Sequence, residues 1–290
     1  MAEPTHQKQH KIPQVYLKKF GYQNGNNQWM ISVLKKGLKL TQQKSIKSFT
    51  IETNVFDIDS DDPRIPRMFE TLNSELENEY NNIISELDNN QSLSDKGYAF
   101  LLQLTSNLIC RSDYWRDWVF GMLNHENKEN WLRIILGHHC KDYGEFKELD
   151  SKPHFRILAD SPPEEVINRV LLFFTDHLMH RLWHYDIVFI KSQDGKPWFT
   201  STNPIVMHQR TQKNEIFNKD SEIYFPLSPD YLAYLHYGKS DDKENPLRKA
   251  ERNSMINADD EQNESLQKFI MANPSDYVLI AGEFKYRVGE

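Results

Sequence analysis

Between residues 66 and 87 the apolar positions fall at Phe69, Leu72, Leu76, Tyr80, Ile83 and Leu87, three or four residues apart. Side chains at that spacing share one face of a helix, so the stretch reads as an amphipathic helix. Asn89, Asn90, Gln91 and Ser92 end it. Ser94-Asp95 then caps a second helix, which carries Phe100, Leu101, Leu104, Leu108 and Ile109 towards Trp118 or beyond. A shorter helix is expected from Trp131 to Leu136. The clearest helix start is Ser161-Pro162-Pro163-Glu164-Glu165, with an N-cap serine, prolines near the first helical position and acids in the first turn. Val170 to Trp183 is apolar on nearly every side, which predicts a central, mostly buried helix.

On either side of this helical stretch the pattern shortens to strand-like runs. Near the start, an extended lead-in to Pro13 is followed by about one helical turn from Val15 to Phe20. Trp29 to Leu34 predicts a strand, Lys35-Lys36-Gly37 a hairpin turn, and Leu38 to Gln42 the return strand. Ser48 to Ile51 and Asn54 to Ile58 read as two more short strands. Towards the other end, Tyr185 to Ile190 is a strand, and the Asp194-Gly195 turn leads to Trp198-Phe199-Thr200 as its partner. Glu222 to Phe225 and Tyr231 to Leu235 follow as strands. After them come a charged loop from Lys239 to Asn245, a polar helix to about Met271, and a last strand from Tyr277 to Ile280. Strands, then helices, then strands describe an α+β fold, not an alternating parallel one. One domain is expected over 1–290, with a β-rich module at 1–62, a helical core at 63–184, and antiparallel strands with one late helix at 185–290.

Composition narrows the classes. At 290 residues the chain can bury a sizeable core, and 12% aromatic content argues against disorder. A mean hydropathy of -0.72 argues against a membrane span, and no run approaches the roughly 20 apolar residues one needs. Met1 to Lys8 has no apolar core of the secretory kind. Two cysteines, Cys110 and Cys140, make no disulfide framework, so a reducing cytoplasm is the expected compartment. With 35 basic against 42 acidic residues the net charge is -7, without the whole-chain basic footprint of a nucleic-acid-coating protein. A local groove or an acidic metal site remains open to it.

The stretch His10-Lys11-Ile12-Pro13-Gln14-Val15-Tyr16-Leu17-Lys18-Lys19-Phe20 resembles the opening signature of a bacterial and fungal family, domain of unknown function 4238. Its members open with His, Pro-Gln, an aromatic-Leu pair and Phe in that order. Later segments are similar in the family's order: Glu52-Thr53-Asn54-Val55-Phe56, Leu76-Glu77, Arg111 with Arg116, Phe199 to Ile205, and Phe225-Pro226-Leu227-Ser228. The resemblance covers the chain from about residue 8 and carries no assigned activity. Where the family has an aspartate between Ser201 and Asn203, this chain has Thr202. A metal-binding or basic role of that aspartate would be lost here, whereas a turn-forming role would survive.

These segments supply the first candidate site: His10, Gln14, Glu52, Glu77, Arg111, Ser201 and Asn203. If they converge, His10 is an acid/base, Glu52 and Glu77 carry a divalent metal or orient partners, and Arg111 grips phosphate or carboxylate. Ser201 and Asn203 would then bind a ligand oxygen or orient a water. The structural alternative pairs Arg111 with Glu77 between helices, makes Asn203 a turn residue, and sets His10 on a buried carbonyl. Of Glu75, Glu77 and Glu79, one is expected to face inward. A second candidate is His177, His180 and His184 with Asp176, since steps of three and four keep the imidazoles within about 60° of one helix face. That face also carries Val170, Phe173 and Phe174, and no glutamate stands between the histidines as in paired-histidine zinc motifs. The third is His138-His139-Cys140 with Cys110, a poor chelate if the adjacent histidines point to different sides of a helix. There is no Gly-x-Ser-x-Gly elbow and no glycine-rich phosphate loop.

Two functional classes follow. The first is a hydrolase of phosphodiester or nucleotide bonds, of the metal-dependent phosphodiesterase or nuclease kind, acting as an antiphage effector or a toxin. It takes nucleic acid or a nucleotide as partner and a divalent metal as cofactor. The second is a non-catalytic ligand-sensing or protein-interaction module in which the polar cluster is structural. A helical surface along 66–136 would suit a protein partner or a second copy of the chain.

Overall fold

The computed structural model describes residues 7–60, 62, 64–209, 220–238, 245–273 and 275–283. The first third holds β1 (Lys8–His10), α1 (Gln14–Phe20), β2 (Tyr22–Gln23), β3 (Trp29–Lys35), β4 (Gln42–Ser45) and β5 (Ile51–Thr53). Helices then dominate: α2 (Met68–Asn90), α3 (Asp95–Arg111), α4 (Asp113–Leu123), α5 (Lys128–Gly137), α6 (Tyr143–Lys147), α7 (Pro153–Asp160) and α8 (Pro163–Leu182). The last third is β6 (Tyr185–Lys191), β7 (Thr200–Ser201), β8 (Val206–Gln209), β9 (Ser221–Pro226), β10 (Tyr231–Tyr237), β11 (Met255–Asn257), α9 (Asp260–Ala272) and β12 (Tyr277–Ile280). The fold is mixed α+β in the expected order, with strands, central helices, then strands with a late helix.

The larger C-terminal sheet runs β11-β6-β10-β9-β8 and is antiparallel except for the parallel β11–β6 pair. It is buried on both faces. Ile187 and Phe189 of β6 and Ala233 and Leu235 of β10 join the main core, while Val188, Ile190, Leu232 and Tyr234 join a second cluster with Trp198 and Ile270. This is the two-residue alternation of a strand applied twice. The other sheet mixes the two ends of the chain. β3 carries β4 on one edge and β2 and β12 on the other, and β7 continues outward from β12. A separate two-stranded pair, β1–β5, aligns His10 with Ile51 and Gln9 with Glu52.

Several expected elements shift. The return strand after β3 starts at Gln42, since Leu38 and Leu40 stay exposed in the connection and only the polar Gln42–Ser45 segment meets the β3 ladder. Asn54 to Ile58 is no strand. Asn54 takes a left-handed backbone (φ 54), and the Asp57 amide closes a turn onto its carbonyl. The long helix from Ser94 breaks at Ser112, whose extended backbone (φ -73, ψ 143) separates α3 from α4. The N-cap of α8 is Pro162, not Ser161, and no side chain caps it. Trp198-Phe199-Thr200 does not pair with β6. That edge is taken by β10, while Trp198 donates its indole N–H to the Ile190 carbonyl at 3.2 Å and Thr200 pairs with β12. The Lys239–Asn245 loop lies outside the described residues up to 244.

Tyr16 ties these parts together. Its ring is fully buried, and its hydroxyl meets Thr200 Oγ1 at 2.5 Å and donates to the Pro226 carbonyl at 2.9 Å. Tyr80 of α2 donates likewise to the Leu227 carbonyl. The opening helix is thus bonded to segments nearly two hundred residues away. Tyr16→Phe keeps the packing and removes these bonds. Chemical denaturation should show a loss of about 1–2 kcal/mol, the usual cost of stripping a buried hydrogen bond.

Candidate functional site

The seven expected side chains separate into two groups. Arg111, at the end of α3, is the centre of the first. Its side chain is almost wholly buried, yet every guanidinium nitrogen is bonded: Nε donates to the Lys11 carbonyl at 3.0 Å, Nη1 to Glu77 Oε1 at 3.0 Å, and Nη2 to the His10 carbonyl. The guanidinium also stands 5.3 Å from the Phe56 ring centre. Burial pulls its pKa down while the Glu77 carboxylate and Glu70 pull it back, and an arginine in that company stays cationic. Of the acidic stripe on α2, where one inward member is expected, Glu77 and Glu79 are both partly buried, and Glu77 is the one that bonds Arg111.

His10 sits beside it. Its Nδ1 is 3.2 Å from the Phe49 carbonyl and its Nε2 is 2.8 Å from Gln14 Nε2. One tautomer satisfies both, with Nδ1–H donating to the carbonyl and Nε2 accepting from the Gln14 amide. Burial is the main cause that lowers the His10 pKa, with Arg111 adding to it and the Phe49 bond and Glu70 opposing. Both ring nitrogens are thus engaged within the chain.

Glu52 joins through Lys11. The Lys11 ammonium bonds Glu52 and also both oxygens of Asp113, at 2.8 and 2.9 Å. Burial alone would depress its pKa, but the two carboxylates outweigh it and the net shift is upward, so Lys11 is a fixed cation and not a base.

The second group forms a turn after β7. Ser201 Oγ donates to the Asn203 carbonyl at 2.7 Å and accepts from the Asn203 amide at 3.1 Å, and Asn273 donates to the same carbonyl at 2.8 Å. Thr202, between them, pairs with Tyr277. Its amide donates to the Tyr277 carbonyl at 3.0 Å and its hydroxyl accepts from the Tyr277 amide at 3.3 Å.

What the two groups share is a cleft of about 390 Å³. Lys11, Phe49, Thr50, Ser112, Thr202 and Tyr277 all face it, with Lys44, Asp113 and Asp276 bringing charge of both signs. The family-like segments therefore meet through the neighbours of the expected residues. Lys11 follows His10, Ser112 and Asp113 follow Arg111, and Thr202 sits between Ser201 and Asn203. The sequence signal for Lys11 was its place inside the opening signature. For Ser112 and Asp113 there was none, because the helix break that turns them towards the cleft has no proline or glycine to announce it.

One wall of the cleft is strained. Thr50 has a left-handed backbone (φ 60), costly for a β-branched residue, and its buried hydroxyl has no hydrogen-bond partner. Phe49 and Tyr277 form an aromatic corner beside it, edge to face at 5.6 Å.

The other histidine candidates divide differently from expectation. His177 is half-buried, and burial, followed by the charges of His138, Arg181 and His180, holds its pKa down to about 4. His180 and His184 are exposed. His138 and His139 do not point to opposite sides of a helix. They lie beyond the last turn of α5, and both Nε2 atoms approach Asp176 Oδ2, at 2.8 and 3.4 Å. Cys110 is packed away from them. Burial pushes its thiol up to about 12 against a bond with Thr175, which leaves it inert. A further buried cluster, without any sequence signal, sets Glu222 against Arg248 at 2.8 Å, with Tyr234 and Asn245 completing its hydrogen bonds. No helix among the described residues is long and apolar enough to cross a membrane.

The architecture is a mixed α+β protein with a polar cluster beside a cleft. A family model described as "Protein of unknown function (DUF4238)" matches residues 8–278, and the chain belongs to that family. No curated protein and no solved structure matches it.

Arg111→Ala should be among the most damaging substitutions. It strands Glu77 and two buried carbonyls, and the melting transition should show a loss of about 3–5 kcal/mol. Arg111→Lys, which cannot reach three acceptors in one plane, should recover only part. His10 gives a pH signature. Its folded pKa lies below the ordinary 6.5, so its contribution is complete above that pH and is lost as pH falls from 6.5 towards the folded value. His10→Asn keeps a donor for Phe49, and its melting temperature should decline less than that of the wild type across that window.

Proposed function

We propose that this protein is a ligand-binding module whose Arg111–Glu77–His10 cluster is structural and whose cleft takes a small hydroxylated or heteroaromatic molecule of the nucleoside or sugar class. The observation that carries this reading is Thr50. The unpartnered hydroxyl is a cost that a bound hydroxyl or ring nitrogen would offset, and the strained backbone marks a cleft wall that the surrounding fold holds in an unfavourable conformation. Phe49 and Tyr277 offer ring faces and edges for stacking, Ser112 and Thr202 offer hydroxyls, and Lys11 and Lys44 balance Asp113 and Asp276. Thr202 also leaves the cleft with one carboxylate fewer than the family's usual aspartate would give it.

The hydrolase reading keeps one supporting observation. Glu52 and Asp113 both bond the Lys11 ammonium, so two half-exposed carboxylates lie beside the cleft, and a divalent cation held by them would have to displace Lys11. On that reading the protein cleaves RNA, DNA or dinucleotides with Mg²⁺ or Mn²⁺, and Asp113→Asn abolishes the cleavage.

Thermal shift against nucleosides, nucleotides, sugars and sugar phosphates tests the binding reading. At least one should raise the melting temperature. Thr50→Gly should stabilise the unliganded protein by roughly 1 kcal/mol through relief of strain, yet reduce the ligand-induced shift. No response across the panel, or an equal shift in Thr50→Gly, defeats it.

A further inference from the structure

The end of α5 lies against the middle of α8, away from the cleft. Gly137, the last residue of α5, lets the Phe146 ring approach so closely that a Cβ there would sit 2.7 Å from it. The chain then leaves the helix, and His138 and His139 come out side by side, their ring centres 3.9 Å apart. Both present Nε2 to one carboxylate, Asp176 of α8. His177 and His180 of the same helix stand around the pair, with ring centres 5.3 and 5.7 Å from that of His138.

We propose that His138, His139 and Asp176 bind a divalent transition-metal ion of the zinc class. One donor atom from each residue falls within 4.8 Å of the others. A tetrahedral zinc site with bonds of about 2.0–2.1 Å holds its ligands roughly 3.3–3.4 Å apart, and the distances of 2.8 and 3.4 Å to Asp176 bracket that spacing. Two imidazoles and a carboxylate favour zinc, cobalt or nickel over magnesium or calcium, which prefer all-oxygen shells.

Two imidazoles present Nε2 to one carboxylate, and the rings of His177 and His180 stand beside that of His138. Imidazole nitrogens and a carboxylate oxygen are the donor set such a cation takes. The fourth position opens to solvent, since His139 and Asp176 are about half-exposed, and either water or a turned His177 would complete it. His177 Nδ1 is buried with no hydrogen-bond partner. The ion would staple the α5 terminus to α8, joining segments that reach it from opposite ends of a forty-residue excursion through α6 and α7.

The test uses tag-free, full-length protein freed of metal with a chelator, titrated with zinc chloride in a calorimeter and melted with and without zinc. Zinc should bind at one ion per chain and raise the melting temperature, while magnesium at the same concentration does neither. His139→Ala and Asp176→Asn should each weaken zinc binding by at least about tenfold. His125→Ala, on the exposed turn before α5, should leave it unchanged. Because the two ligand residues are half-exposed, the metal-free variants should melt with the wild type. Cobalt gives an independent readout, as its visible absorption in a four-coordinate site should appear in wild type and vanish in His139→Ala. Absence of zinc binding, or affinity and cobalt spectrum unchanged in both variants, overturns the proposal.

Discussion

A guanidinium taken out of water has to find a partner for each of its nitrogens, and Arg111 finds them in two other parts of the chain. One is the Glu77 carboxylate on α2. The others are the carbonyls of His10 and Lys11, where β1 gives way to the turn before α1. The two carbonyl bonds tie the His10–Lys11 segment to α3, and the third ties α3 to α2. With that segment in place, His10 can reach the Phe49 carbonyl, Lys11 can be held between Glu52 and Asp113, and Tyr16 can lie under β7 and β9. The polar residues that the sequence offers as one constellation are, in three dimensions, hydrogen-bonded to one another and to the backbone of other segments.

These bonds determine where a ligand would sit. By using up Arg111, His10 and Gln14 internally, they leave the cleft to be lined by their neighbours in sequence: Lys11, Ser112, Asp113 and, from the far end of the chain, Thr202 and Tyr277. Strain at Thr50 is tolerated because β5 and the Lys11 amide hold that turn from both sides. The rigid surroundings over-determine one unfavourable backbone, and the unfavourable backbone places one hydroxyl. Away from the cleft, the α5–α8 contact gathers histidines by a different route, through a helix terminus and not through a packed core.

The sequence was sufficient for α2, whose long stripe admits one burial pattern, and for β3, β6, β9 and β10, whose apolar runs read as strands, whereas α8, expected to be mostly buried from Val170 to Trp183, buries one face and leaves Asp176, His180, Arg181 and Trp183 exposed. It also exposed the opening signature and the pairing of Arg111 with Glu77 as one of two readings. It was silent on the break at Ser112, since an extended serine within an apolar helix pattern is imposed by what α3 and α4 pack against. The direction of His138 and His139 was equally hidden, because helical geometry separates adjacent side chains only while the helix lasts.

By itself, then, the order of residues determined the α+β class, the family, and the segments that matter. The tertiary structure decided which side chain of each segment faces the cleft and which is hydrogen-bonded within the chain. The reason is that hydrogen-bond satisfaction is a property of the whole packed chain. Whether Arg111 greets a ligand or a pair of carbonyls a hundred residues away depends on partners that local pattern does not contain.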